Sequence, residues 1–347
     1  MKRSGFSLKE MLIAVAIIAV LLAILVPLVR VAKESSNRKI CQRNLQQWGL
    51  SVLNYESGHM QLPMGVGYRG RGVTQSQPYS GFVAAEAFIE SHSMIFDELD
   101  SPTVVAGVNY PAFGVPLSES KYWLWEMEID LLNCPSAERS ESAFGRTSYA
   151  FSLGDVARNV SQQKTLRGAY GYFKANPINV FTDGTSNTIG LIEIGGGKTK
   201  TVRGGCWMDG KAAWLDDPGQ VLSSIKNGNY PTSGKTIGRG SHWADGRAGV
   251  GLANTILPPN SPSFQVKDSP TDDGIYSASS MHAGGVYVAF IDGSVHFISE
   301  EIDAGDSSTP TLTQEQMEAE GDTVSPHGVW GALGTIGSAD FIDWSEY

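Results

Sequence analysis

The chain has 347 residues and a net charge of −10, and the charge is unevenly distributed. Residues 1–45 carry eight Lys or Arg against two Asp or Glu, so the remainder carries 18 basic against 34 acidic residues. An acidic body lacks the basic face that nucleic-acid binding requires, and no nucleic-acid partner is expected. The 40 Gly and 16 Pro predict a body with many turns rather than long helices.

A long apolar segment lies near the N-terminus. The 19 residues Met11–Val29 contain no charge, include Pro27, and follow a short basic leader. A helix of that length spans about 28 Å, close to the hydrocarbon thickness of a bilayer. Residues 6–29 are therefore predicted to form a transmembrane helix.

Three kinds of segment have this character. A secretory signal peptide needs a shorter apolar core and a small-residue cleavage site, and Arg30 stands where the best candidate site would need a small residue. A plain membrane anchor fits the length but leaves Gly5, Phe6 and Glu10 unexplained. The segment resembles a type IV prepilin leader, in which a short basic peptide ends in Gly, the mature chain begins at Phe, and a Glu follows. This resemblance implies that residues 1–5 are removed by a prepilin peptidase that cuts between Gly5 and Phe6.

Glu10 gives this interpretation a physical basis. An acid at the centre of a bilayer costs about 2.5–3.5 kcal/mol on insertion scales, so it is expected to meet a counter-charge. Cleavage before Phe6 creates an amino terminus that the Glu10 of a neighbouring pilin or pseudopilin subunit can neutralise. The alternative is that Glu10 only complements the dipole at the start of the helix.

The charges that flank the span disagree with the expected orientation. Five basic residues follow it, which are Arg30, Lys33, Arg38, Lys39 and Arg43. By the positive-inside rule these charges would retain the body in the cytoplasm, but long domains translocate largely regardless of flanking charge. We expect a single-pass protein of the inner membrane with a cytoplasmic N-terminus and the body outside.

The helix is predicted to continue over residues 30–58. Apolar residues recur there at helical spacing and form a narrow stripe that is expected to dock on the body, namely Cys41, Leu45, Trp48, Val52 and Tyr55. From about residue 145 of the body, which spans 59–347, short β-branched and aromatic runs alternate with Asp-Gly turns. This pattern predicts antiparallel β structure, whereas the polar segment 300–325 is predicted to be an exposed loop.

The clearest hairpin is predicted over 286–299, with Asp292-Gly293 as its turn. A two-residue turn at that position places Val295 and Phe297 on the core face, together with Val286, and leaves His296 on the more mixed face.

The three cysteines are Cys41, Cys134 and Cys206. One disulfide is expected in an oxidising compartment, but spacing leaves all three pairings open. Since the sequence contains no Cys-x-x-Cys, a zinc ribbon is not expected.

Two polar motifs are candidate sites. His282 could pair with a carboxylate in an enzyme, but Asp292 is needed for the hairpin turn in any case, and His282 is better interpreted as bonding a neighbouring loop. Asp183 and Asn187 offer oxygen ligands for Ca²⁺, but the Asp-x-Asp-x-Asp spacing is absent, and a self-capped turn is the better interpretation. No catalytic set emerges, so the chain is not expected to be an enzyme or to need a cofactor.

Together these motifs resemble one prepilin-like family. Its pattern is carried by the leader and by Cys41…Asn44-Leu45, Cys134-Pro-Ser136, Asp183-Gly-Thr-Ser-Asn187, Leu257-Pro-Pro-Asn260 and His282-x9-Asp292-Gly293. This is the family with the prepilin-type processing-associated H-X9-DG domain, and Cys206 is not part of its pattern. The resemblance implies a membrane-tethered, exported, pseudopilin-like protein, with no established role for the signature residues.

The expected fold is pilin-like α+β, a long N-terminal helix packed on an enlarged antiparallel sheet domain. The expected function is a structural subunit of a type II secretion or type IV pilus-like system. The rival is a monomeric, membrane-anchored binding module, for glycans for example. Exposed Trp207, Trp214 or Trp243 would serve it as a binding surface, although burial in the core is the default for these side chains. An exported hydrolase is the third candidate.

Overall fold

The computed structural model describes residues 8–68, 77–89, 93–138, 142–196, 198–319 and 323–337. Gly5 and Phe6, the predicted processing site, lie outside the described residues. The helices are α1 Leu8–His59, α2 Gly81–Ala85, α3 Ser93–Leu99, α4 Trp123–Glu126, α5 Ala248–Gly251, α6 Gln314–Met317 and α7 Gly328–Gly334. The strands are β1 Val66–Tyr68, β2 Gln77–Ser80, β3 Thr103–Val105, β4 Val108–Tyr110, β5 Tyr149–Ser152, β6 Ile189–Glu193, β7 Gly205–Gly210, β8 Thr236–Gly238, β9 Leu252–Ala253, β10 Ser263–Val266, β11 Gly274–Ile275, β12 Gly285–Phe290 and β13 Val295–Ser299.

Helix α1 is 52 residues long and has two distinct halves. Over its first half the large apolar side chains from Leu8 to Val31 are between 48% and 71% exposed. Among the described residues, α1 is the one helix that is long and apolar enough to cross a bilayer, and its most apolar stretch is not buried. Pro27 lies inside this half without ending the helix. Because the exposed apolar surface runs all around the helix, the body leaves this half free for another apolar environment.

The second half of α1 docks on the body as the stripe predicts. Leu45, Trp48 and Val52 are buried, and Tyr55 is half-buried. The indole of Trp48 packs edge-on against Phe82, with ring centroids 4.7 Å apart. Its Nε1–H donates to the carbonyl oxygen of Leu131 at 3.0 Å, so the polar edge of the ring is satisfied in the core.

The body contains two main sheets, with strand orders β13-β12-β6-β5-β9 and β11-β10-β7-β8. The α+β architecture with a long N-terminal helix is confirmed. The sheets are mixed rather than wholly antiparallel, because β9 pairs parallel to β5 and β10 pairs parallel to β7. Parallel partners need long connections, which Asp-Gly turn signals do not reveal.

The hairpin of β12 and β13 forms where it was predicted, but its predicted register is wrong by one residue. Val286 pairs with Ile298 and Tyr287 pairs with Phe297. The turn has three residues instead of two, since the Phe290 N–H donates to the Ser294 carbonyl. A one-residue slip exchanges the two faces of a strand, so Phe297 is 37% exposed and not in the core.

The segment 300–325 is not simply an exposed loop. Ile302, Ala304 and Leu312 are buried against the body, and Thr313 caps helix α6. Beyond this segment Trp330 of α7 is buried, and its Nε1–H donates to the Leu257 carbonyl at 3.0 Å.

Candidate functional site

Five side chains meet where α1 first contacts the body, and we call this cluster the helix–body junction. Two come from α1, one from the loop after α4, one from the end of β6, and one from the segment before β12. Its members are Glu34, Cys41, Cys134, Glu193 and His282.

A disulfide forms the covalent part of the junction. Cys41 and Cys134 are bonded, with Cα atoms 5.2 Å apart, and they stand 93 positions apart in the sequence. The bridge ties α1 directly to the body. Cys206 is the free thiol; it is buried far from water, and this desolvation raises its pKa to about 12. The pairing that spacing left open is thereby assigned.

His282 connects the bridge to α1. Its imidazole is fully buried, and Nδ1 lies 2.5 Å from Glu34 Oε1. Since a carboxylate can only accept, Nδ1 carries a proton and donates it to Glu34, and Nε2 faces the other side of the ring. Nε2 lies 3.4 Å from Cys134 Sγ and 3.7 Å from Glu193 Oε1. His282 therefore contacts the helix through Glu34 and the loop after α4 through Cys134.

Glu34 is held as a carboxylate. Its Oε2 accepts from the Ser136 hydroxyl at 2.8 Å, and Arg38 lies 3.5 Å from Oε1. Burial acts to raise the pKa of Glu34, but the hydrogen bonds from His282 and Ser136 outweigh it and hold the pKa below its ordinary value. Arg38 also donates to the Ala283 carbonyl at 2.7 Å, which adds a second contact between α1 and the same segment.

Glu193 is an acid at the end of a buried strand. Its burial raises the pKa of the carboxyl to about 8, against the opposing effect of the Tyr287 N–H. That N–H donates to Oε2 at 3.0 Å, so Oε1 is the atom directed at His282. An acid in the core is costly to ionise without a cation, so its position beside two sulfur atoms and an imidazole needs a reason.

The other end of the His282-x9-Asp292-Gly293 signature also contacts α1. Asp292 Oδ1 accepts from the N–H and the hydroxyl of Ser294, which closes the turn, and Gly293 has φ +84°. A Cβ on Gly49 of α1 would lie 3.3 Å from the Gly293 Cα. A side chain on Gly49 would therefore crowd the turn, while Gly293 supplies the positive φ that the turn needs.

The signature thus contacts α1 at two positions along the helix axis. His282 binds Glu34 and the Asp292-Gly293 turn packs against Gly49, 15 residues or about 22 Å further along the helix. Both ends of the motif thus contact the same helix.

Asp183 and Asn187 lie in a turn between the body's C-terminal segment and the hairpin. Asn187 Nδ2 donates to the Asp183 carbonyl at 2.8 Å, and Gly184 has φ +91°. The Asp292 N–H donates to the Thr185 carbonyl at 3.1 Å, so this turn supports the signature turn. In the part of the chain that the structure describes, Asp183 does not belong to the group of side chains that could jointly hold a metal ion.

Sequence reasoning missed Glu34 and Glu193. Each had a signal. Glu34 is the first acid after the apolar run, and Glu193 ends the run Ile-Gly-Leu-Ile-Glu, which is otherwise apolar. An acid that terminates a wholly buried strand calls for a partner in the core.

Comparison with known families agrees with this picture. Residues 1–26 match the prokaryotic N-terminal methylation motif, and residues 30–305 match a family described as a protein of unknown function, DUF1559. Curated proteins and solved structures give no match. The motif implies processing by a prepilin peptidase and anchoring in a membrane. The chain belongs to the DUF1559 family and is a prepilin-like protein.

Proposed function

We propose that this prepilin-like member of the DUF1559 family is a structural subunit of a type II secretion or type IV pilus-like system, and not an enzyme. Processing between Gly5 and Phe6 gives a mature chain whose apolar half-helix packs with those of other subunits. The acidic body is then displayed outside the inner membrane.

The observation that carries the proposal is the division of α1 into two halves. Residues 8–31 expose apolar side chains around the whole helix, whereas the stretch from Cys41 to Val52 is buried on one side against the body. A helix that is hydrophobic all round is stable only in lipid or among other apolar helices. The junction contributes by fixing the body to the helix with a covalent bond, so that packing of the helices would determine the positions of the bodies.

Processing is tested by the intact mass of the protein recovered from membranes. We expect a chain that begins at Phe6, and a Gly5→Leu variant that retains residues 1–5. Ser4→Ala, one residue before Gly5, is the matched control and should be processed normally. Wild-type protein that still begins at Met1 would exclude the processing step.

Assembly is tested by a Glu10→Val variant, with Lys9→Ala as the control at the adjacent position. Membrane fractions are assayed for insertion, and surface fractions are imaged for filaments that contain the chain. We expect Glu10→Val to insert normally but to lose assembly, because the amino terminus of a neighbouring subunit has lost its counter-charge. If both variants behave like wild type, the leader serves only as an anchor.

The rival function is a monomeric binding module. A cavity of about 570 Å³ lined by Arg203, Leu222 and Met281, among others, offers such a module a place for a ligand. The predicted aromatic surface is less favourable, because Trp214 and Trp243 are buried. The Glu10→Val experiment separates the two functions, since ligand binding by an anchored monomer does not depend on Glu10.

A further inference from the structure

The helix–body junction has the composition of a transition-metal site. Cys41, Cys134, Glu193 and His282 each offer one ligand atom, and these four atoms all lie within 4.8 Å of one another. All four residues are buried. Two sulfur atoms, one imidazole nitrogen and one carboxylate oxygen form a ligand set suited to Zn²⁺.

We propose that, when the Cys41–Cys134 bridge is reduced, the two thiolates, His282 Nε2 and the Glu193 carboxylate bind one Zn²⁺ ion. The junction therefore holds α1 on the body through either of two cross-links, a disulfide or a metal ion. The two forms exclude each other, because the same sulfur atoms are used in both.

The distances fit a tetrahedral ion. With bonds of about 2.0–2.3 Å, the ligand atoms of a zinc site lie roughly 3.3–3.8 Å apart. His282 Nε2 is already 3.4 Å from Cys134 Sγ and 3.7 Å from Glu193 Oε1. The bonded sulfur atoms have to separate by less than 2 Å, and the other pairs, which lie within 4.8 Å, have to close by at most about 1 Å. Rotation about the side-chain torsions can accommodate both changes.

The surroundings of His282 provide the second argument. A histidine that binds zinc commonly donates its other N–H to a carboxylate, which fixes the tautomer and makes the metal-binding nitrogen more basic. Glu34 Oε1 stands 2.5 Å from His282 Nδ1 in this position. A purely structural disulfide requires neither this pair nor a buried acid at Glu193, whereas a metal ion would use both.

The chemistry balances with a dithiol as the reductant. The dithiol gives two electrons and two protons to the bridge and forms its own disulfide, while Cys41 and Cys134 become thiols. Zn²⁺ then displaces the two thiol protons and the carboxyl proton of Glu193 into water. The metal would leave the cysteines unable to re-form the bridge until it dissociates.

The test uses the full chain in detergent micelles. The protein is reduced anaerobically with dithiothreitol, separated from it by gel filtration, and loaded with Zn²⁺ or with Co²⁺ as a spectroscopic probe. We expect one metal ion per reduced chain, and a cobalt spectrum with thiolate charge transfer and the intense d–d bands of tetrahedral coordination. The oxidised chain, with its bridge intact, should show neither.

Variants then identify the ligands. His282→Gln and Glu193→Gln should weaken zinc binding by at least about 100-fold, and Glu34→Gln by about 10–100-fold through its effect on His282. Cys206→Ser removes a thiol outside the cluster and should bind as wild type does. The proposal is overturned if the reduced wild type binds no stoichiometric metal, or if His282→Gln and Glu193→Gln bind it equally well.

Folding is followed separately. Thermal melts of the oxidised variants show whether each substitution is tolerated while the bridge is present. If reduction alone unfolds the chain, Zn²⁺ should restore the near-ultraviolet circular dichroism of the wild type but not that of His282→Gln, since an ion that binds only the folded state stabilises it. Equal recovery, or none in either protein, contradicts the site.

Discussion

Docking of α1 on the body should depend strongly on Trp48. Replacement of Trp48 by Ala removes a fully buried indole that packs on Phe82 and leaves a cavity, which typically costs about 3–5 kcal/mol of unfolding free energy. Trp48→Phe keeps the ring contact with Phe82 but leaves the Leu131 carbonyl without its donor, for a loss of about 1–3 kcal/mol. The two substitutions therefore separate packing from hydrogen bonding at one position.

The assay is urea unfolding of the processed protein in micelles, followed by circular dichroism with the disulfide intact. Leu50→Ala is the control, because Leu50 lies two positions along the same helix and is 51% exposed; its loss should stay below about 1 kcal/mol. A Trp48→Ala protein as stable as Leu50→Ala would show that the buried stripe does not hold the helix. If the unfolding free energy falls with urea concentration at the same slope in the variants and the wild type, the substitution has changed stability and not the compactness of the unfolded chain.

Three further perturbations have defined outcomes. The double variant Cys41→Ser with Cys134→Ser opens a loop whose ends are 93 residues apart, and in the chain-entropy treatment this costs up to about 4.7 kcal/mol of unfolding free energy. In the presence of a chelator, the urea midpoint of this variant should lie below that of the wild type and should not change when reductant is added. Burial and the charge of Asp97 raise the pKa of Glu86 from 4.5 to about 8, so the folded chain retains a proton that the unfolded chain has lost. The free energy of unfolding should therefore fall as the pH rises from 4.5 to 8, and Glu86→Gln should make that fall less steep. An equally steep fall in Glu86→Gln would exclude Glu86 as its source. Arg167→Met leaves the buried Asp155 without its bidentate partner and should cost about 3–5 kcal/mol of unfolding free energy in the same urea assay. Combining Arg167→Met with Asp155→Asn should recover part of this loss, and equal losses in the single and double variants would contradict the ion-pair explanation.

The helix could be predicted from the sequence because its signals are local. The length of the uncharged run and the spacing of the apolar residues from Cys41 to Tyr55 are both properties of a single helix. The structure buries this apolar stripe on the predicted side. The hairpin shows the limit of such signals. Asp292-Gly293 marks a turn, but the sequence does not say whether two or three residues form it, and that choice decides which face Phe297 occupies.

The junction could be predicted only in part. Each of its members was visible as a cysteine, a histidine or an acid, but their meeting depends on contacts between positions as distant as Glu34 and His282. The choice of Cys134 over Cys206 as the partner of Cys41 likewise depends on how the loop after α4 folds back onto α1. Non-local pairing of this kind has no counterpart in periodicity or spacing.

The position of the disulfide also determines how the molecule carries a pulling force. If the N-terminal half of α1 is held in place and the end of the body is pulled, the tension passes along the helix to Cys41 and crosses directly to Cys134. The 92 residues between them, which include Trp48 and the rest of the docking stripe, lie outside the load path. The docking stripe beyond Cys41 cannot then be peeled from the body one side chain at a time.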